Sequence, residues 1–423
     1  MTATARNLIA FLCCFILEAY QAKHGRPLKP VKIQDGKHVP QTEQCPFCNA
    51  PHQYLYYNDG KKRSQLLCKV CSSTFSVDNR YKRTLKAKYF CPYCQYALFR
   101  WKVFLHVIIH KCGNDNCPHR LNAINKLNPA EKLLQKTKSS QFKLNYIYRE
   151  YLFQATDLVH PGPIKPLVDL RRIHNSQNIL GLILSFYVSF AISARKTAYI
   201  LQNVFNISVS YQTVLNYAES AAYHCHRFNL KFKGSIDDTS AGDETYIKII
   251  GEWAYVFLFI SSKNLVLCAY HLAHSRETLP AVITMTEAIR TAEPQQKISF
   301  ITDGNPAYPA GIHFMNEKRP QELPRLEHHA VIGLQNLDKE SETYRSFKQL
   351  IERLNRTFKF HVRPASGFKS DNGARSLIVL FATHYNFLRP HISLDYRTPV
   401  TIPELQNIST IQGKWIKILS MAA

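Results

Sequence analysis

Acidic residues are scarce in this sequence of 423 residues, and it contains no hydrophobic stretch long enough to cross a membrane. Thirty Asp and Glu residues stand against 54 Lys and Arg, which gives a formal net charge of +24. The apolar run at residues 8–17 is far too short to span a bilayer, and no small-residue cleavage site follows it. We therefore expect no membrane partner, and we expect residues 8–17 to form a buried helix or a dimer contact.

The basic charge is concentrated in the N-terminal half of the chain. Residues 1–240 hold 33 basic and 13 acidic residues, whereas residues 241–423 hold 21 and 17. Basic side chains that neutralise phosphates release counterions, so a polyanion such as double-stranded DNA is the expected partner. A basic surface that only confers solubility is the alternative. The expected location is the cytoplasm, in association with the nucleoid.

The cysteines do not form the pattern of a secreted disulfide framework. Eight of the twelve stand in close pairs, as thiolate metal ligands in a reducing compartment do. The first four make two C-x-x-C knuckles, separated by 19 residues that include strand-forming segments. They are Cys45, Cys48, Cys68 and Cys71. Four thiolates complete a closed tetrahedral site, so this pattern predicts a structural zinc ribbon.

A second zinc ribbon is predicted from the remaining paired cysteines. They are Cys91, Cys94, Cys112 and Cys117. His106 and His110 could replace the last two cysteines and give a two-cysteine, two-histidine finger. We favour the cysteines, because the two histidines accompany an apolar run and are readily explained as hydrogen-bonded packing residues. His119 is a further candidate ligand. The sequence thus predicts two Zn²⁺ ions per chain.

A pattern of three strands, a helix and a fourth strand begins at residue 241. Strands are predicted at residues 241–250, 254–260, 265–271 and 297–302, with a helix at 276–292. The first three strands form an antiparallel meander, and a strand reached through a crossover helix runs parallel to its neighbour. Asp243 lies on the first strand and Asp303 just past the end of the fourth. Adjacent placement of these strands would bring the two carboxylates together.

A third acidic residue, Glu352, lies in a predicted amphipathic helix at residues 343–362. One face of this helix is apolar, and the other gathers Glu352 with polar and basic residues. These neighbours are Lys348, Asn355, Arg356 and Lys359. Hard divalent cations prefer carboxylate oxygens, and two ions about 4 Å apart can activate an attacking oxygen and stabilise a leaving one. We predict that Arg356 and Lys359 hold DNA phosphates beside such a site.

Five stretches of the C-terminal half resemble the catalytic domain of DDE-type insertion-sequence transposases, relatives of retroviral integrases with a ribonuclease H-like fold. In chain order they are GDETYIKIIGEW, ITDGNPAY, IERLNRTFK, GFKS and HYNFLRPH, and the resemblance covers about residues 180–400. It implies that Asp243, Asp303 and Glu352 are the catalytic carboxylates and hold Mg²⁺ (or Mn²⁺).

The spacing of the third acid departs from the usual pattern of the family. Forty-eight residues separate Asp303 from Glu352, whereas Glu340 and Glu342 lie nearer to the customary spacing. We assign Glu352 because it lies on the amphipathic helix, precedes the basic residues and stands 15 positions before Gly367, as in the family. The extra residues then form a loop-like insertion at about residues 320–342.

Two regions outside the catalytic segment are predicted to bind DNA. Helices at residues 193–204 and 211–222 flank a short turn, with Ser210 as N-cap of the second, which is the pattern of a helix-turn-helix unit. Its candidate DNA-binding residues are Arg195, Lys196, Gln212, Thr213 and Asn216. The paired ribbons resemble DNA-end-recognition modules of some insertion-sequence transposases. Their candidate contacts are Lys61, Lys62 and Arg63.

Together these features predict a multidomain α+β protein with N-terminal zinc ribbons, a helix-turn-helix and a C-terminal α/β ribonuclease H-like catalytic domain. The predicted divisions are an N-terminal helical segment (1–40), two zinc ribbons (41–125), a helical linker (126–175, with helices at 129–138 and 141–153), the helix-turn-helix (176–230), the catalytic domain (235–390) and a C-terminal tail (391–423). The predicted function is a DNA transposase that acts as a homo-oligomer. The alternatives are a ribonuclease H-like nuclease without strand transfer and a metal-stabilised DNA-binding regulator derived from an inactive transposase.

Overall fold

The structure, a computed structural model, divides the chain into two compact units, Met1–Leu152 and Phe153–Ala423. It describes residues 3–32, 38–59, 63–76, 87–137, 142–166, 168–331 and 339–422, with the backbone alone for 3–12 and 339–341. None of the helices in these ranges combines the length and the hydropathy that crossing a bilayer requires.

The first unit begins with helix α1 (Ala3–His24), which includes the apolar run at residues 8–17. Cys13 and Ile16 on α1 are buried in one cluster with the first cysteine quartet. The expectation of a buried helix is therefore confirmed for the described part of this run. A three-stranded antiparallel sheet carries the quartet, in the order β1 (Leu55–Tyr57), β2 (Gln65–Cys68) and β3 (Thr74–Ser76).

A second three-stranded antiparallel sheet follows in the same unit. Its strands are β4 (Leu98–Val103), β5 (Val107–Cys112) and β6 (Ile147–Tyr151), and helices α2 (Pro118–Asn125) and α3 (Pro129–Thr137) lie between β5 and β6. The predicted helix at residues 141–153 is wrong, because this segment contributes β6. Backbone pairing with β5 and the contact of Glu150 with buried His110 outweigh its local helical preference.

The second unit is built on a five-stranded mixed sheet. The strands are β7 (Thr239–Ile249), β8 (Glu252–Ser261), β9 (Leu267–Ala273), β10 (Ser299–Thr302) and β11 (Glu327–Ala330), arranged in the order β11-β10-β7-β8-β9. The first three form the predicted antiparallel meander, and β10 lies beside β7 in parallel, as predicted. Strand β11 was not predicted. It lies within the range assigned to a loop and extends the sheet by parallel pairing with β10.

Helices pack on this sheet and on one another, and they supply the rest of the core. They are α4 (Gln177–Leu184), α5 (Ala194–Phe205), α6 (Tyr211–Lys231), α7 (Thr278–Ala288), α8 (Ala307–Lys318), α9 (Lys339–Val362), α10 (Asp371–Thr383), α11 (Pro403–Gln406) and α12 (Ile411–Ala422). Helix α7 contacts β8 and β9, whereas α9 contacts β7 and α10 packs on α6. The crossover helix and the long amphipathic helix are thus present where the periodicity predicts them.

Two of the predicted divisions do not correspond to separate cores. Helix α6 of the helix-turn-helix packs with β7, β8 and α10 in one hydrophobic cluster, so residues 176–230 share their core with the catalytic segment. The predicted C-terminal tail also enters this core. Trp415 on α12 is fully buried, and its indole N–H donates to Ser189 Oγ at 2.9 Å. Burial of such a large aromatic surface explains why the tail folds onto the domain.

Candidate active site

Asp243 and Asp303 lie close together where the parallel pairing of β7 with β10 ends, Asp243 within β7 and Asp303 directly after β10. The pairing of β7 with β10 reaches Ala241 and Ile301, so each aspartate lies two residues beyond this pair. Carboxylate oxygens of Asp243, Glu244 and Asp303 all lie within 4.8 Å of one another. The predicted convergence of the first two acids is therefore present, and Glu244 joins them.

Asp243 is held by the backbone and by helix α9. Its Oδ2 accepts hydrogen bonds from Lys348 Nζ at 3.2 Å and from Asn355 Nδ2 at 3.1 Å. Its Oδ1 accepts from the backbone N–H of Glu244 at 3.0 Å. Burial raises the pKa of Asp243, the charges of Asp303 and Glu244 raise it further, and Lys348 opposes the shift. A cation beside this cluster therefore favours the ionised form of Asp243.

Glu244 is occupied by partners and has only 1% of its side chain exposed. Its Oε1 accepts from Arg276 Nε at 2.6 Å and from Asn305 Nδ2 at 2.7 Å, and its Oε2 accepts from the hydroxyl of Tyr308. Burial, together with the charge of Glu244, raises the pKa of Tyr308 well above its ordinary value, so this hydroxyl remains a donor. Glu244 is thus placed to support the site as a buried, fully hydrogen-bonded carboxylate.

The partners of Glu244 also position Asp303. The backbone N–H of Asn305 donates to Asp303 Oδ1 at 2.9 Å, and Arg276 Nη2 lies 3.7 Å from Asp303 Oδ2. Asn305 and Arg276 each contact both acids, so the buried carboxylate and the partly exposed one are held as a unit. Sequence reasoning missed this network, although an acid directly after Asp243 in the GDET motif was a signal for it.

Glu352 is not part of the three-carboxylate cluster. It is half-buried on α9, four residues after Lys348 and three before Asn355, which both donate to Asp243. Residues at these spacings share one face of a helix, so Glu352 lies on the face that contacts Asp243. Of the alternative acids, Glu342 is exposed, and the side chain of Glu340 lies outside the described residues.

The donor set of this site fits a hard divalent cation. Carboxylate oxygens are the ligands that Mg²⁺ prefers, and those of Asp243 and Asp303 meet here, while Glu244 beside them is committed to its own donors. Asn355 Oδ1 and Thr245 Oγ1 are also buried oxygens, and neither is hydrogen-bonded to any described residue. Asn355 contacts Asp243 through its amide nitrogen, and Thr245 follows Asp243 by two residues on the same strand. Neutral oxygen atoms thus accompany the carboxylates.

The two cysteine quartets have the geometry of tetrahedral metal sites. The paired Sγ distances are 3.5 Å for Cys45–Cys71, 3.6 Å for Cys48–Cys68, 3.7 Å for Cys91–Cys117 and 3.5 Å for Cys94–Cys112. Zinc at its usual distance of about 2.3 Å from sulfur separates tetrahedral ligands by about 3.8 Å. All eight thiols are buried, and none is in a disulfide.

The histidines considered as alternative ligands lie outside the second quartet. Buried His110 pairs through Nε2 with Glu150 Oε2 at 2.8 Å, which is the packing role described for it. The ring of His119 lies against Tyr93, with centroids 4.8 Å apart. The four-cysteine grouping thus brings its ligand atoms together, and His106, His110 and His119 are not part of it.

The candidate DNA-binding residues are partly described. Arg195, Lys196 and Gln212 are exposed at the start of α5 and α6, and the predicted N-cap is present, since Thr213 N donates to Ser210 Oγ at 3.0 Å. Gln212 Nε2 also donates to half-buried Asn216 at 2.9 Å. On α9, Arg356 is exposed and Lys359 is half-buried. Arg63 is exposed in the first ribbon, and Lys61 and Lys62 lie outside the described residues.

The sheet combines three antiparallel strands with two parallel ones, and the two aspartates lie just past the last paired residues of β7 and β10, as is expected for a ribonuclease H-like polynucleotidyl transferase. Residues 239–391 match the family model of the IS240-type transposase DDE domain. Residues 239–391 are therefore similar to a transposase DDE domain, in agreement with the resemblance noted in the sequence.

Solved structures of retroviral integrases and of a transposase show weaker similarity. The catalytic core domain of the integrase of HTLV-2 in complex with magnesium is 12% identical, with a TM-score of 0.26, over 40% of this chain and 97% of that one. The Mos1 strand transfer complex is 12% identical, with a TM-score of 0.26, over 72% and 91% of the two chains. The intasome of simian T-cell lymphotropic virus with the PP2A subunit B56 gamma is 15% identical, with a TM-score of 0.27, over 48% and 73%. No curated protein matches the chain significantly.

Proposed function

We propose that this transposase cuts DNA at the ends of a mobile element and joins them to target DNA. The observation that carries the proposal is the convergence of Asp243 and Asp303 beyond the last paired residues of β7 and β10 within the matched DDE domain. Hydrolysis at the element end would free a 3′-hydroxyl, and this hydroxyl would attack a target phosphodiester. The exchange of one phosphodiester for another requires no nucleotide cofactor.

Asp243, Asp303 and Glu352 are the proposed ligands for Mg²⁺ or Mn²⁺. When bound, two such ions would activate the attacking oxygen and stabilise the leaving one. Lys348 and Asn355 orient the carboxylate of Asp243 through their hydrogen bonds. Because Glu352 lies on the same face of α9, we infer that it joins the cluster once the negative charge there is neutralised.

The protein groups around these carboxylates divide into supporting and DNA-holding residues. Glu244 keeps Arg276 and Asn305 in place, and these two hold both oxygens of Asp303. Arg356 and Lys359 follow Glu352 by one and two helical turns, and we assign them to phosphates near the reacting centre. Holding the reactants and the catalytic groups in the reactive geometry contributes a large part of the rate acceleration of such transfers.

The N-terminal unit is proposed to recognise DNA, with one structural Zn²⁺ in each cysteine quartet. The charge of residues 1–152 supports this role, because 25 of the 54 basic residues and only 8 of the 30 acidic ones lie there. The exposed residues at the start of α5 and α6 are the proposed contacts of the helix-turn-helix. Double-stranded DNA is thus the proposed partner, with a homo-oligomer acting in the cytoplasm at the nucleoid.

A gel assay with the full-length protein, a labelled element end and a target duplex tests this function. With Mg²⁺ we expect a nicked end and then a joined product, and we expect neither without a divalent metal. Nicked DNA without joined product would instead identify a nuclease. Specific binding of the end with no cleavage would identify a DNA-binding regulator and would refute the proposal for this chain.

A further inference from the structure

The end of the β7–β8 hairpin carries an exposed aromatic and cationic surface. It is formed by Tyr246, Lys248, Trp253 and Lys359, and we refer to it as the Trp253 surface. Tyr246 is 54% exposed and Trp253 52%, and their perpendicular rings have centroids 4.9 Å apart. Lys359 Nζ lies 4.1 Å from the centroid of Tyr246, and Lys248 Nζ lies 4.9 Å from that of Trp253. Each ring is thus accompanied by an ammonium group.

The backbone beneath this surface is fixed from both sides. Lys248 pairs with Trp253 across the hairpin. On the other edge of β7, Phe368 N donates to Lys248 O and Ile250 N donates to Phe368 O, each at 2.8 Å. Gly367 adopts a φ of +118° immediately before this contact, a backbone conformation that favours glycine. A ligand therefore meets side chains on an ordered backbone, which lowers the entropy cost of binding.

The Trp253 surface and Asp243 lie along the same edge of β7, although their odd spacing directs the side chains of Asp243 and Tyr246 to opposite faces of the strand. Tyr246 lies three residues after Asp243 on the same strand, which corresponds to about 10 Å. Lys359 lies one helical turn after Asn355, whose side chain donates to Asp243. The pairing of β7 with β10 stops at Ala241, so no described strand covers this edge of β7 between the aspartate and the tyrosine. A nucleic-acid strand that follows this edge would meet both features.

The chemistry of the surface favours unpaired nucleotides over a protein partner. Aromatic rings stack on bases of any sequence, and ammonium groups neutralise the phosphates between them. The centres of protein interfaces, in contrast, are depleted of charged residues, and lysine is among the residues they contain least. Two of the four side chains here are lysines that lie directly against the rings.

We propose that the Trp253 surface binds unpaired nucleotides of the DNA strand at the active site, with a base stacked on Trp253 or Tyr246 and the adjoining phosphates near Lys248 and Lys359. This assignment rests on the proposed function, since it supposes that the carboxylates act on DNA. It further implies that nucleotides next to the scissile phosphate are unpaired when the DNA is bound. The aromatic residues select unpaired bases, and the lysines supply affinity that does not depend on sequence.

Binding of two probes by the full-length protein separates base stacking from phosphate attraction. The probes are a 15-nucleotide oligothymidylate and an abasic strand of the same length, each measured without Mg²⁺ but also without chelator, so that metal held by the cysteines is retained. We expect the parent protein to prefer the thymidylate strand. Trp253→Ala should lower the affinity for that strand by about 5- to 150-fold, which corresponds to the loss of one stacked base. The affinity for the abasic strand should not change.

Three further variants complete the test. Trp253→Phe should restore most of the preference, because it keeps an aromatic face. Lys248→Ala should lower the affinity for both probes equally and should reduce the dependence of these affinities on salt concentration. Tyr396→Ala, which removes another exposed aromatic ring, should behave as the parent does. No DNA chemistry is measured, so the result is independent of whether the chain cleaves and joins DNA.

Two outcomes would overturn the assignment. Equal affinity of the parent for both probes would show that bases are not bound. A change of oligomeric state in Trp253→Ala, with the preference for thymidylate retained, would show that this surface instead contacts another copy of the chain.

Discussion

Lys348 Nζ lies 3.2 Å from Asp243 Oδ2, and the two side chains are only 11% and 15% exposed. The ammonium group therefore neutralises one carboxylate of an acidic cluster, at a position where a bound divalent cation would do the same. A buried charge pair of this kind gains from mutual attraction but must offset the loss of hydration of both groups. Lys348 would thus compete with a divalent cation bound there for the charge of Asp243.

The first prediction concerns this competition. Lys348→Met should lower the Mg²⁺ concentration that gives half-maximal thermal stabilisation by roughly tenfold, because the metal no longer displaces an ammonium group. This concentration is obtained by measuring the unfolding temperature at increasing Mg²⁺ concentrations. Lys297→Met, at an exposed position, is the matched control. An unchanged Mg²⁺ dependence in Lys348→Met would show that the two cations do not compete.

The second prediction concerns the buried carboxylate of Glu244. Glu244→Gln replaces an acceptor by an amide that faces Arg276 and Tyr308, so at least one buried donor loses its partner. We expect a loss of about 1–3 kcal/mol in the free energy of unfolding, measured by urea denaturation. Glu342→Gln, at an exposed position on α9, should change it little. Equal stability of both variants would contradict the supporting role of Glu244.

Much of the catalytic sheet follows from local sequence patterns. Asp303 could be placed beside Asp243 because a strand reached through a crossover helix is parallel to its neighbour. Ser210 could be placed as an N-cap, and the cysteine quartets could be grouped, because each depends on a few residues at fixed spacing. These features require little information about distant contacts.

The features that sequence did not predict depend on tertiary partners. Strand β11 has the sequence EHHA, without apolar alternation, and exists through its pairing with β10. Strand β6 is defined by pairing with β5, and α12 by burial of Trp415. The contacts of Glu244 join residues up to 64 positions apart. Such contacts leave no periodic pattern in a single sequence.

The third prediction concerns the metals of the N-terminal unit. The parent should hold two zinc ions per chain, and Cys112→Ser with Cys117→Ser should hold one, as measured by elemental analysis. Because the stability of a ribbon is largely metal-binding free energy, the variant should lose the structure of the second ribbon. The DDE domain should remain folded, as limited proteolysis would report. Two zinc ions in the double variant would refute the assignment of its ligands.

The fourth prediction concerns a buried histidine group in the second unit. The rings of His160 and His226 are stacked with centroids 5.5 Å apart, and His271 lies 5.8 Å from His160. Burial lowers the pKa of His226 to about 4 and that of His271 to about 3, and it also lowers the pKa of His160. Neighbouring Arg375 lowers all three, whereas Glu287 acts in the opposite direction on His160 and His226.

Because these pKa values lie below the ordinary value of about 6.5, the unfolded chain takes up protons that the folded protein does not. The stability of the second unit should therefore be constant above about pH 6.5 and fall as the pH decreases toward 4. Each histidine contributes up to about 1.4 kcal/mol per pH unit to the slope of the free energy of unfolding against pH. His226→Gln should flatten this dependence, whereas His174→Gln, at an exposed site, should not. Parallel pH profiles for parent and His226→Gln would contradict the prediction.

The fifth prediction tests the central claim, that Glu352 acts with Asp243 and Asp303 in metal-dependent DNA cleavage and joining. The measurement is the yield of joined DNA with Mg²⁺ for Glu352→Gln and Glu342→Gln, with binding of the element end measured in parallel. We predict that Glu352→Gln binds the end as the parent does and yields no nicked or joined DNA, while Glu342→Gln retains the activity of the parent. Retained activity in Glu352→Gln, or its loss in Glu342→Gln instead, would contradict the account.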